Sequence, residues 1–531
     1  MRSLTGSWLR WPRRSVSRAV LASVAALALL PLACSAVPSA RDVRDTSAPA
    51  TSTPAGVAGA KNGAGMPLAP ERYYAQKPNW RQCAKGSSNQ CADIKVPLDY
   101  AKPETAIRLP VLKVPARSAD QRRGSLVVNP GGPGGSGVQY AAAAGQVFTQ
   151  AVLQSYDVVG FDPRGVGEPD RVACLGDPGM ETWLSMDDTP DTAAEEVRWR
   201  DVLAGVGKAC AKNSGSLVGH VSTLEAAADM DILRSVLGEE KLNYLGKSYG
   251  TLLGAAYAQE FPKNVGRMVL DGALPGPADD TSQAKTQAVG FETALDAFLT
   301  DCVKQGCPLG STKAAAYRQL TTLLRGLDSQ PLPTLLGRKL TQQLGGTGLA
   351  QAMYSKAYWP QLRSVLDAAL DGDGSGLLQL ADAYGGRVQD SYRTSILIPN
   401  LAINCSDQDS DTSLSDIKRL LPSFRKASPT FGETVAWSGL ACHDWPVRAQ
   451  FPWVPLKAEG AAPIVVIGTT RDPATPLAWA KELASTLDSG VLLTRDGDGH
   501  TGYHEGNSCI DSAVDAYLLD GTVPSAGTVC R

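Results

Sequence analysis

Leu242–Phe261 reads LNYLGKSYGTLLGAAYAQEF, and the rest of the chain is organised around it. Leu242 to Leu245 is an apolar run too short for a helix and suited to a buried strand. Gly246-Lys247-Ser248-Tyr249-Gly250 follows, and then Leu252, Leu253, Ala256, Tyr257 and Phe261 recur at helical spacing. Strand, sharp turn carrying a serine, helix is the context in which G-x-S-x-G acquires chemical meaning, because the strained turn pushes the hydroxyl out of the sheet. The start of the next helix aims unpaired N–H groups at the same point, where a developing negative charge is stabilised. With 53 glycines in 531 residues the pentapeptide alone is weak, and a structural Gly-Ser turn is the competing reading. Its flanks and its single occurrence favour a nucleophile.

Composition narrows the class. The formal net charge is −2, with 20% charged residues, and no Lys/Arg block lies beyond the first 18 residues. Nucleic-acid binding therefore has no electrostatic support. At the N-terminus Arg2, Arg10, Arg13, Arg14 and Arg18 precede the apolar stretch from Ala19 to Ala33. That pattern reads as a secretory signal, residues 1–34, too short to span a bilayer comfortably. Cys34 closes it in Leu32-Ala33-Cys34-Ser35, similar to a bacterial lipoprotein processing site, although Pro31 stands where Leu is usual. Lipid anchoring and simple secretion both stay open. Removing Cys34 from the eleven cysteines leaves ten, an even number suited to disulfides in an oxidising compartment. The simplest pairing joins neighbours: 83–91, 174–210, 302–307, 405–442 and 509–530. No cysteine pair has zinc-site spacing with nearby histidines and H-E-x-x-H is absent, so neither a metal nor another cofactor is expected.

Residues 35–70, rich in Ala, Ser, Thr, Pro and Gly, read as a flexible linker without a core. Beyond it, Ala92–Leu98 and Ile107–Val114 form an opening pair of strands. Ser125–Val128 is a buried strand ending in Asn129-Pro130-Gly131-Gly132-Pro133-Gly134-Gly135-Ser136-Gly137. A phosphate loop would need Lys-Ser/Thr after the glycines, which is missing, so an oxyanion-hole loop fits better. The strand Tyr156–Phe161 runs into Asp162-Pro163-Arg164-Gly165, whose charged pair is expected to fix a loop beside the site. A helix over 224–237 leads to the Ser248 strand, and Val265–Leu270 is a further strand. From about Gly276 to Leu440 the pattern is helical; strand–helix alternation returns with Pro463–Gly468, a helix over 478–487 and a strand over 491–494. Doubly wound units flanking a helical block imply one mostly parallel α/β sheet with an inserted cap over the strands' carboxyl ends. The boundaries read 71–275 for the first part of the core, 276–454 for the cap and 455–531 for the C-terminal part of the core.

A serine hydroxyl needs a base, and the base an orienting acid. Of four histidines, His500 lies in Asp498-Gly499-His500-Thr501-Gly502 just past the last strand, with His504 its nearest competitor; His443 and His220 read as structural. Asp472 follows the strand 464–467. The order Ser248, Asp472, His500 is that of the α/β-hydrolase fold.

Asn129-Pro130-Gly131-Gly132-Pro133-Gly134, Asp162-Pro163-Arg164-Gly165, Gly246-Lys247-Ser248-Tyr249-Gly250 and Asp472-Pro473-Ala474-Thr475-Pro476 resemble the secreted tripeptidyl aminopeptidases of actinobacteria, relatives of prolyl aminopeptidases. Prolyl aminopeptidases begin the glycine loop with His, where this chain has Pro130. The resemblance covers most of the chain after about residue 75. It implies a serine exopeptidase acting on peptides with a free N-terminus, with a TAP-like C-terminal region holding Asp472 and His500. Ser248 would attack the scissile carbonyl, and the N–H groups of Tyr249 and Gly132 would hold the oxyanion. The substrate ammonium needs a carboxylate in the cap, and Asp407 is the residue expected to supply it, a solvated acidic loop being the competing reading. A secreted carboxylesterase and a non-catalytic peptide-binding lipoprotein are the rival functions.

Overall fold

The computed structural model describes residue 62 and residues 65–531, apart from 277–279, 409–411 and 449. The expected signal segment with Cys34, and most of the expected 35–70 linker, lie outside the described residues. The linker's last residues do not behave as a tether: Met66 and Ala69 are buried in the main core beside Tyr73.

Among the described residues ten strands form one sheet: β1 (Arg81–Gln82), β2 (Gln90–Asp99), β3 (Lys102–Val114), β4 (Ser125–Asn129), β5 (Asp157–Phe161), β6 (Leu242–Lys247), β7 (Val265–Asp271), β8 (Ile464–Arg471), β9 (Gly490–Asp498) and β10 (Thr528–Cys530). Their order is β1-β2-β3-β5-β4-β6-β7-β8-β9-β10. The β1–β2, β2–β3 and β3–β5 pairs are antiparallel and every later pair is parallel. Parallel strands must be covered on both faces, and successive side chains alternate to meet both covers. Val127, Val159, Tyr244, Leu270 and Val466 face the helices Thr223–Val236 and Tyr249–Glu260. Their neighbours Leu126, Val158, Leu245, Val269 and Val465 face the opposite layer, which contains the helix Ser508–Asp520.

Helices from Asp280–Lys304 to Gly432–Ser438 lie in the chain between β7 and β8, in the stretch read as a cap. The single insertion 276–454 is nevertheless an incomplete account of it. A second segment, with helices Asp177–Ser185 and Ala193–Ser214, leaves the core between β5 and β6. Its Trp199 and Leu203 share a cluster with Ile417, Leu421, Phe424 and Trp437. Conversely the helix Leu397–Asp407, inside the expected cap, packs Ile398, Leu401, Ala402 and Ile403 into the main core. Five disulfides join 83–91, 174–210, 302–307, 405–442 and 509–530, the neighbour pairing.

The loop after β5 is fixed from below. Arg164 is buried and donates through Nε and Nη2 to Asp229, 2.8 Å each, and through the same guanidinium to the carbonyls of Pro97, Leu98 and His220. Glu225 lies 3.3 Å from it. Asp162 accepts from Ser136 Oγ at 2.6 Å and Val138 N at 3.1 Å, tying this loop to the glycine loop. Removing the cation strands two buried carboxylates, and breaking a buried pair from one side costs about 3–5 kcal/mol. Arg164→Ala is therefore expected to lower unfolding free energy by about that amount in urea titrations. A loss under about 1 kcal/mol, the worth of an exposed pair, would contradict the arrangement.

Candidate active site

Ser248 is the residue between β6 and the helix Tyr249–Glu260, at φ 55° and ψ −127°. A non-glycine residue there stores about 1–3 kcal/mol of strain, which the surroundings must hold. They do so by close approach. A Cβ on Gly246 would sit 2.2 Å from the carbonyl oxygen of Gly250, so the turn closes only around glycine. Ser248 N donates to Asp271 O at 2.9 Å, pinning the turn to the end of β7.

The glycine loop after β4 packs on the turn's other side. At Gly131 φ is +93°, and a Cβ would lie 2.5 Å from Lys247 O and 2.9 Å from Tyr249 N. Gly131 N donates to Asn129 Oδ1 at 2.9 Å. Backbone against backbone, this packs Gly131 beside the first N–H of the serine helix, that of Tyr249, which has no partner earlier in its helix.

Asp472 follows β8 and His500 follows β9. Nδ1 of His500 lies 2.9 Å from both carboxylate oxygens of Asp472. Asp472 is buried and also accepts from Ala474 N (2.9 Å), Thr475 N (2.8 Å), Thr475 Oγ1 (3.0 Å) and Thr501 N (3.0 Å). So many donors fix the carboxylate and, through it, the ring. The backbone N–H of His500 donates to Tyr354 O at 2.8 Å, and the Tyr354 ring stands edge-on to the imidazole, centroids 5.4 Å apart. The other ring nitrogen, Nε2, is buried without a hydrogen-bond partner. The imidazole adjoins the serine turn through Gly272, the residue after Asp271: a Cβ there would lie 3.2 Å from His500 Cε1. Ser248 Oγ and Nε2 are not hydrogen-bonded to one another, a contact that often tightens only with substrate.

Two residues to which the sequence reading gave no role, Asp271 and Lys247, hold the histidine loop. Asp271 accepts from Gly502 N at 2.8 Å and Tyr503 N at 2.9 Å. Lys247, between the glycine and the serine, donates to Tyr503 O at 2.8 Å. Strand-end position was the available signal for both. His504 is exposed, and His220 faces Glu225 at 3.1 Å on the far side of the Arg164 cluster.

Asp407 is not brought into contact with Ser248, Asp472 or His500 among the described residues. It is partly buried at the end of its helix, accepting from Thr223 N (2.7 Å) and Thr223 Oγ1 (2.5 Å), and Thr223 Oγ1 in turn meets the Tyr249 hydroxyl at 2.5 Å. Both oxygens serve the start of the helix Thr223–Val236, where the dipole favours a negative charge. Exclusion of water from the carboxyl group pushes its pKa up to about 7.

Two family models match the chain: "alpha/beta hydrolase fold" over residues 124–369 and "TAP-like protein" over 428–530. The serine protease Hip1 of Mycobacterium tuberculosis is 36% identical over 83% of this chain and 87% of its own. Carboxylesterase B of the same organism is 34% identical over 98% and 99%. The tripeptidyl aminopeptidase of Streptomyces coelicolor is 30% identical over 88% of each. The chain belongs to the tripeptidyl aminopeptidase family of α/β-hydrolases. Its C-terminal TAP-like region contains Asp472 and His500, and its α/β-hydrolase region contains Ser248.

The raised pKa of Asp407 has a signed consequence. The unfolded value is ~3.9, so the folded protein binds the extra proton between about pH 4 and about pH 7. Stability from this group is complete below that window and is lost as pH rises through it. The melting temperature of Asp407→Asn minus that of the wild type is expected to grow from pH 4.5 to pH 8 by scanning calorimetry. A pH-independent difference would show that Asp407 is not held this way.

Proposed function

We propose that this protein is a serine aminopeptidase that releases short peptides, tripeptides by the family resemblance, from free peptide N-termini. Ser248 attacks the scissile carbonyl, His500 takes its proton through Nε2 and returns it to the leaving amine, and Asp472 holds the imidazole in the tautomer that leaves Nε2 able to accept. The N–H groups of Tyr249 and Gly132 receive the oxyanion, each such donor being worth about 3–4 kcal/mol of barrier. The observation that carries this reading is His500 held 2.9 Å from the buried carboxylate of Asp472, together with a serine at φ 55°. The relatives named serine protease and tripeptidyl aminopeptidase support the peptide as substrate. Five disulfides support a working life in an oxidising compartment, reached through the N-terminal signal and, in the lipoprotein variant, retained through Cys34.

A carboxylesterase is the second reading, favoured by the relative named carboxylesterase B, which this chain matches nearly end to end. One panel separates the two. With anilides of one to four residues and a short acyl ester, kcat/KM is expected to peak at the free tripeptide anilide. Ser248→Ala and His500→Ala are each expected to lower kcat by about 10⁴-fold or more. Rapid ester hydrolysis with no anilide cleaved would select the esterase; full activity in Ser248→Ala would remove both.

A further inference from the structure

The segment between β5 and β6 carries a carboxylate that the catalytic account does not use. Asp188 is 5% exposed, and no Lys or Arg among the described residues pairs with it. It lines a cavity of about 180 Å³ within the cap, with Trp183, Trp199, Tyr384, Tyr392 and Leu397 among the other walls. The hydroxyl of Thr434 favours its charge, whereas Asp187 and Glu433 oppose it. Asp382, on the same cavity, is neutralised by Arg338 at 2.5 Å, so Asp188 is the lining carboxylate left without a cation. Burial, followed by Asp187, pushes its pKa up to about 7. A lone carboxylate in an aromatic cavity costs free energy unless a cation arrives to share it, and aromatic faces themselves attract ammonium groups.

The cavity adjoins the site on two sides. Tyr384 is 6.1 Å, ring to ring, from Tyr354, which is 5.4 Å from His500. Leu397 begins the helix seated on the glycine loop: a Cβ on Gly134 would lie 2.7 Å from Ile396 O, and Asn400 Nδ2 donates to Pro133 O at 3.2 Å. The loop bearing Asp188 is held by Gln343, whose amide nitrogen, turned towards it, reaches the carbonyls of Trp183, Leu184 and Met186 at 3.1, 3.2 and 2.7 Å.

We propose that Asp188 is the specificity-determining residue that receives the substrate's N-terminal ammonium, with the aromatic cavity as the subsite of the first residue. This rests on the aminopeptidase reading and moves the role expected of Asp407 to the second cap segment.

The test compares kcat/KM for a tripeptide anilide with a free amine and for its N-acetylated form, in the wild type, Asp188→Asn and Asp188→Ser. Both substitutions remove an uncompensated buried charge and are expected to melt no lower than the wild type at pH 8. The wild-type preference for the free amine is expected to fall by at least about 10-fold in both variants, mostly through KM, as loss of a hydrogen-bonded charge pair implies. Preference retained in both variants would overturn the role of Asp188 while leaving the aminopeptidase intact. A wild type without preference would overturn the aminopeptidase reading and this inference with it.

Discussion

A single strained residue sets the terms for the rest of the structure. Ser248 can occupy φ 55° only because three backbone segments crowd it: the turn's own Gly246 and Gly250, the Gly131 loop after β4, and the carbonyl of Asp271 at the end of β7. Those three strands are neighbours in the sheet, so the order β4-β6-β7 is itself what holds the turn. The next two strands, β8 and β9, continue the order and deliver Asp472 and His500 to the same edge. Position along a parallel sheet thus becomes position in a reaction site.

How much of this was legible in the sequence depended on the range of the interactions. Strands such as β4 and β5, buried at every position, announced themselves as apolar runs, and the Ser248–Asp472–His500 order could be read because each residue follows such a run. The five disulfides were legible by nearest-neighbour pairing because the chain crosses itself locally. The second cap segment was not. Its long helix Ala193–Ser214 packs Trp199 against Ile417, Phe424 and Trp437, more than 200 positions away. The two-residue β1 and three-residue β10 were too short to leave a pattern.

Asp407 and Asp188 show the same limit from opposite directions. Asp407 sat in a disulfide-bounded acidic stretch and looked available, yet its partner Thr223 is 184 residues earlier and consumes both oxygens. Asp188 carries no motif and was not singled out in the sequence, yet it shares a cavity with Trp183, Trp199 and Tyr384. Sequence tells which residues are acidic; only the fold tells which of them lack a cation.

The central claim is that one hydroxyl, at residue 248, becomes the nucleophile. Intact-mass measurement and peptide mapping after reaction with a fluorophosphonate test it directly. The account predicts one adduct per chain, carried by the peptide containing Gly246-Lys247-Ser248-Tyr249-Gly250 and lost in Ser248→Ala. An adduct on a different residue, or an active protein that forms none, would contradict it.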